Sequence, residues 1–232
     1  MEVLECSLIT NSDYGYGDSV VIYCARVKIS DIGNQANEMI ATISDTSWLT
    51  PLNIVSKRTF EARAKGTIDK LVNKILAKVQ DKVTVEFGEY LVSSSALYAV
   101  AQLGHRPLPL AELLKEKITG NPGFDFHTES HTGYIAFGEA KYSGIDSPYT
   151  NALAQLLRFI DEKKDEMEFL IVGNFVSEEA MQKALDGQKA YIAAFSINAE
   201  NAATIMKNAI TSEHTKNLVC HKEVYLIGVE VE

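Results

Sequence analysis

Three ionisable side chains stand close together in a stretch that otherwise reads as strand. They are Asp125, Glu139 and Lys141, within GFDFHTESHTGYIAFGEAKYS at residues 123–143. Alternation along a strand puts Glu139 and Lys141 on one face, with Phe137 one step back. A hairpin closed over the polar turn sets Asp125 across from them. Two carboxylates and an ammonium then converge on one side of a sheet. Charges inside strands need a partner, a metal or water, because burying them bare is costly. Two oxygen ligands on a rigid sheet suit a hard cation such as magnesium, which keeps several waters and binds phosphate oxygens. A neighbouring lysine can orient or activate a water, or offset charge developing on a phosphate. Such a set can hydrolyse a phosphodiester with metal assistance. The plain alternative is a solvated hairpin face with an ordinary Glu–Lys pair, since E-x-K triplets are common.

The elements that must position these residues read as alternating strands and helices. Residues 2–10 and 19–29 read as strands around the turn cluster NSDYGYGD, and a helix fits residues 34–43. Trp48 reads as an anchor in the core or against a partner. Residues 56–79 are helical in pattern, with Phe60, Ala64, Ile68, Leu71, Ile75 and Val79 on one stripe. Lys57, Arg58, Arg63, Lys65, Lys70, Lys74 and Lys78 make this the most basic segment. That is the pattern of a solvated helix face, or of a backbone contact to nucleic acid. Residues 86–103 read as a second helix carrying Glu89 among apolar residues. A short helix is expected within 109–118, then the Gly-Asn-Pro-Gly turn at 120–123.

Beyond the hairpin, Ser147-Pro148 marks a helix start, with the serine as cap, running to about residue 163 through Leu153, Leu156, Leu157 and Ile160. Gln155 and Arg158 are its notable polar residues. EFLIVGNF at 168–175 reads as a buried strand. A helix capped by Ser177, a strand at 190–197, a helix at 200–210 and a strand at 223–231 complete the chain. The alternation predicts an α/β sheet with helices on both sides. His127 shares the Asp125 face, and His131 lies across the turn. No P-loop, dinucleotide fingerprint or Ser-His-Asp arrangement is legible.

The 232 residues can bury a large core, and 46% hydrophobic with 23% charged residues is an ordinary globular composition. No apolar run approaches 18 residues, and the first residues carry acid and no basic region, so no membrane span or secretory signal is expected. Cys6, Cys24 and Cys220 are too widely spaced for a metal knuckle and read as buried free thiols of a cytoplasmic protein. The net charge of −9 argues against a free-standing DNA binder and for a partner that supplies the groove.

An upstream helix with a glutamate, a strand aspartate, a strand E-x-K and a following helix together resemble the PD-(D/E)xK nuclease superfamily. The matching residues are Glu89, Asp125, Glu139-Ala140-Lys141 and the helix carrying Gln155. Phe124 stands where the literal motif has proline. The resemblance covers roughly residues 80–175. It implies a restriction-endonuclease-like mixed sheet flanked by helices over residues 56–232, with residues 1–55 as an N-terminal strand and helix extension packed on it.

It further implies that Asp125 and Glu139, joined by the Ala140 carbonyl, hold Mg2+, with Mn2+ able to substitute. Lys141 would position or activate the water, Glu89 would add a ligand, and Gln155 would contact phosphate or water. More narrowly, Gly88-Glu89-Tyr90, GFDFH and FGEAKYS resemble the HamA nuclease subunits of Hachiman anti-phage systems. That likeness implies a DNA-cleaving effector controlled by a HamB-like helicase. A restriction-type enzyme with its own sequence recognition, and a non-catalytic binding subunit of the same fold, remain the alternatives.

Overall fold

Seven strands form one mixed sheet in the computed structural model, which describes residues 1–75, 83–115 and 123–231. The strands are β1 (Glu2–Leu8), β2 (Val21–Ile29), β3 (Arg106–Pro107), β4 (Phe126–Glu129), β5 (Ile135–Lys141), β6 (Ala190–Ile197) and β7 (Glu223–Val231). Their spatial order is β1-β2-β7-β6-β5-β4-β3. The central pairs β2–β7, β7–β6 and β6–β5 are parallel, and the outer pairs are antiparallel. The parallel centre is where the sequence is continuously apolar: every residue of β6 (AYIAAFSI) is buried, as a strand covered on both faces must be.

Helices cover both faces. On one lie α1 (Ile32–Ser44) and α3 (Val85–Gln102), whose Met39, Leu91 and Ala96 meet Val27, Ile192 and Ile227 of the sheet. Thr84 caps α3 by accepting the Phe87 N–H. On the other face lie α5 (Tyr149–Asp161), α8 (Glu178–Leu185), α9 (Ala202–Thr211) and α10 (Glu213–Leu218), packed on Phe137, Tyr191, Phe195 and Leu226. A smaller cluster of Leu49, Phe60 and Leu114, with Trp48, Ile171 and Phe175 against it, ties α2 (Ile54–Lys70) to α4 (Ala111–Leu114) and α7 (Phe169–Val172). The anchor role expected of Trp48 is filled by its ring contacts with Phe60 and Phe175. No helix among the described residues is long and apolar enough to cross a membrane.

The structure departs from the sequence expectations in four places. EFLIVGNF is not a strand: it forms α7, after the single turn α6 (Lys164–Met167). A short apolar run does not by itself distinguish strand from helix. Here Val172 is buried at helical spacing from half-buried Phe169, while Leu170 is 91% exposed. Ser147 does not cap α5; its hydroxyl accepts the Asn198 N–H at 3.1 Å, and the helix follows Pro148 with no side-chain cap. Of the three free thiols only Cys24 is buried, and Cys6 and Cys220 are exposed. The short helix α10 was not anticipated.

Residues 1–55 place β2 inside the sheet beside β7, so this segment and residues 56–232 share one sheet. After Lys70 the basic helix continues as one π turn, Leu71–Ile75. The remainder of its expected length, with Lys78 and Val79, lies outside the described residues, as do residues 116–122, with Ile118 and the turn residues Gly120, Asn121 and Pro122.

Candidate active site

The hairpin register decides which side chains meet. Phe126 pairs with Gly138, which sets Asp125 opposite Glu139. Asp125 precedes β4 by one residue, and its N–H donates to the Gly138 carbonyl at 2.9 Å. Its side chain then continues the ladder: Oδ2 accepts the Ala140 N–H at 2.8 Å. The edge of β5 at Ala140 therefore faces the Asp125 carboxylate. In an extended strand a residue's C=O leaves on the same side as its N–H. The Ala140 carbonyl accordingly lies on the Asp125 side of β5.

Glu139 is fully buried. Its Oε1 accepts from Lys141 Nζ at 2.8 Å, and its Oε2 is buried with no hydrogen-bond partner. Lys141 Nζ also lies 3.5 Å from Glu89 Oε1, so the lysine joins a strand carboxylate to one reaching in from α3. Glu89 is positioned by Gly88. A Cβ at Gly88 would stand 2.1 Å from the Tyr142 ring, so only glycine lets the start of α3 sit on the end of β5. Asp125 also opens on a small cleft of about 60 Å³ lined by Glu86, Glu89, Tyr90, Ser93 and Glu112.

The charges are unbalanced. Burial, reinforced by Glu112, raises Asp125 to about 7, against the opposing pull of the Ala140 N–H and Lys141. Burial and the Asp125 charge push Glu139 well above the ordinary carboxylate range, with Lys141 opposing. Burial pulls Lys141 down, but Glu139, Asp125 and Glu89 outweigh it and raise it. One ammonium faces three carboxylates, and two of them, Asp125 and Glu139, resist ionising. A divalent cation would relieve that repulsion, and the unpartnered Glu139 Oε2 supplies a lone pair for it.

Asp125, Glu139 and the Ala140 carbonyl form an all-oxygen donor set of the kind hard cations take. Among the described residues no three His, Cys, Asp or Glu side chains stand spaced to hold a metal. Magnesium does not require three, since one or two carboxylates plus waters and substrate oxygens suffice.

Asp125, Glu139, Lys141 and Glu89 are thus brought together. Gln155 is not joined to them. It sits half-buried on α5, which packs on β5 and β6, and its side chain makes no hydrogen bond with the described residues. His127 faces away from metal chemistry: its Nε2 pairs with Glu168 at 2.5 Å, and burial lowers its pKa. Two carboxylates escaped the sequence reading. Glu112 on α4 accepts from the Tyr90 hydroxyl and acts on Asp125. Glu168 holds His127, Lys115 and the Phe124 N–H in front of the hairpin. Neither belongs to a motif, and only the fold brings α4 and the turn before α7 to β4. No protein-family model matches this chain, and a search of the curated proteins returns no match.

Proposed function

We propose that this protein is a metal-dependent nuclease of the PD-(D/E)xK kind that hydrolyses DNA phosphodiester bonds. The observation that carries the reading is the fully buried Glu139, with one oxygen on Lys141 and the other unpartnered, directly across the hairpin from Asp125. Stability alone gives no reason to bury a carboxylate with an unsatisfied oxygen beside a second carboxylate. Asp125, Glu139 and the Ala140 carbonyl would hold Mg2+, with Mn2+ as a substitute. When bound, the metal would supply polarisation of the scissile phosphate and a lowered pKa for its water. Lys141 positions the attacking water and offsets the charge that grows on the phosphate. Glu89, through its contact with Lys141, keeps the ammonium aimed and is placed to add a ligand. Gln155 is the weakest member of the set, a phosphate contact only if α5 turns it toward β5.

The likeness of Gly88-Glu89-Tyr90, GFDFH and FGEAKYS to the HamA subunits of Hachiman systems supports a more specific reading. The chain is an anti-phage effector whose access to DNA is controlled by a HamB-like helicase. An acidic nuclease, with a net charge of −9, gains from a partner that brings the DNA. The test is cleavage of supercoiled plasmid by the purified chain, alone and with the helicase, in magnesium or chelator, beside Glu139→Ala. Nicking or smearing that needs both magnesium and Glu139 is expected. Discrete bands would move the reading to a site-specific endonuclease. Intact DNA in every lane would leave a non-catalytic binding subunit.

A further inference from the structure

The basic helix α2 has a feature that a solvated face does not explain. It carries Lys57, Arg58, Arg63, Lys65 and Lys70 against two carboxylates, Glu61 and Asp69, in a chain that is acidic overall. It also carries Gly66 in its interior, where glycine costs about 1 kcal/mol relative to alanine. A Cβ at Gly66 would meet nothing within 4 Å. Neither backbone crowding nor a left-handed turn therefore accounts for the glycine. What the missing side chain leaves is space. Gly66 lines an open cleft of about 550 Å³, with Arg63 and Lys70 from α2, Tyr90 from α3, Glu112 from α4 and Lys115 just after it. Tyr90 and Glu112 also line the small cleft on which Asp125 opens. The two clefts meet at that pair, so the cationic cleft runs up to the candidate active site.

We infer that this cleft is the track on which one strand of the substrate leaves the site, its phosphates facing Arg63 and Lys70. The inference rests on the nuclease reading for its direction, and on the cleft itself for its chemistry. The volume is that of a small-ligand pocket, in the range of about 300–1,000 Å³. It has room for a short run of one strand. The Arg63 guanidinium donates one bond to the Leu114 carbonyl at 3.2 Å, which fixes its position at the wall while leaving its charge uncompensated by that neighbour. Lys70 is half-exposed and shares its charge with Glu86 at 3.0 Å, a surface pair that a phosphate can replace. Backbone tracking of this kind reads no base.

The experiment is fluorescence anisotropy of a labelled single-stranded DNA oligonucleotide with the full chain, in chelator so that nothing is cut, over a series of salt concentrations. Arg63→Ala and Lys70→Ala are each expected to lower the slope of log K against log salt by about 0.7, the value for one contact to a single strand. Gly66→Glu, which fills the cleft with a side chain of the wrong charge, is expected to weaken binding at least tenfold. Gly66→Ala reports on the fold: it should keep or raise the melting temperature. Lys216→Ala, on α10 across the sheet, should leave slope and affinity unchanged.

Wild-type slope and affinity in Arg63→Ala, Lys70→Ala and Gly66→Glu, or no binding by the wild type at low salt, would overturn the track. Plasmid cleavage separates the two readings. Cleavage with all three variants binding as wild type removes the track and keeps the nuclease. Loss of binding in the variants, with no cleavage by the wild type either alone or with the helicase, keeps the track and removes the nuclease.

Discussion

Two buried glutamates flank the same hairpin and are treated in opposite ways. Glu168, before α7, is 8% exposed at the side chain and has both oxygens occupied. One accepts from Lys115 Nζ at 2.5 Å and the Phe124 N–H at 3.2 Å, and the other meets His127 Nε2 at 2.5 Å. Burial alone would raise Glu168, but His127 and Lys115 overcome it and hold it below the usual range. Glu139, on β5, is wholly buried with one oxygen unpartnered, and burial and Asp125 drive it up. The chain completes the first carboxylate and leaves one oxygen of the second open among the described residues. A satisfied buried ion is a strut, and an unsatisfied one beside another of like sign is a socket.

The largest effects are expected at Lys141 and Glu139. Lys141→Ala and Glu139→Gln are expected to lower plasmid cleavage by about 10²–10³-fold, the scale of removing a group that stabilises charge in the transition state. Glu139→Gln should also raise the melting temperature, because it removes a buried charge that the fold leaves half-paired. A Glu139→Gln protein that melts lower would show that the carboxylate is a strut after all.

At Glu168 the signs reverse. Glu168→Ala strands His127 and Lys115 and should cost about 3–5 kcal/mol in urea unfolding. A loss under 1 kcal/mol would mean that the cluster is not the strut described here. Gly88→Ala, which drives a methyl into the Tyr142 ring, should cost about 1–3 kcal/mol by overpacking and reduce cleavage through the displaced Glu89.

The pH dependence of stability separates the two glutamate environments further. Asp125 has a folded pKa near 7, above its unfolded value of about 3.9. The folded state binds that proton more readily, so the Asp125 contribution grows as pH falls from about 7 toward 4. Glu168, whose folded pKa is depressed, contributes stability above its unfolded pKa and loses it as pH falls through the folded value. Asp125→Asn should flatten the first trend, and Glu168→Gln the second, in melting curves taken from pH 3 to 8.

The sequence carried the hairpin because its information is local. Alternation in FGEAK and the polar turn at Thr132-Gly133 settle which residues face Asp125, and the register follows. Helices with caps and stripes, such as α3 and α8, were legible for the same reason. EFLIVGNF was not, because its apolar run is shared between a helix face and the small cluster at Phe60, and only tertiary contacts choose. Glu112 and Glu168 were invisible because their partners come from other elements. Gln155 shows the converse: a motif position does not by itself bring a side chain into the site.

The parallel seam between β2 and β7 has a further consequence for how the protein is made. Val21 pairs with Glu223, so the sheet is locked by a strand synthesised long after both strands of the candidate site. A ribosome can emit the Asp125–Lys141 hairpin while β6 and β2 still have bare edges awaiting β7. Pairings so distant in sequence form slowly. A growing chain therefore carries the Asp125–Lys141 hairpin well before it has the frame that seats it.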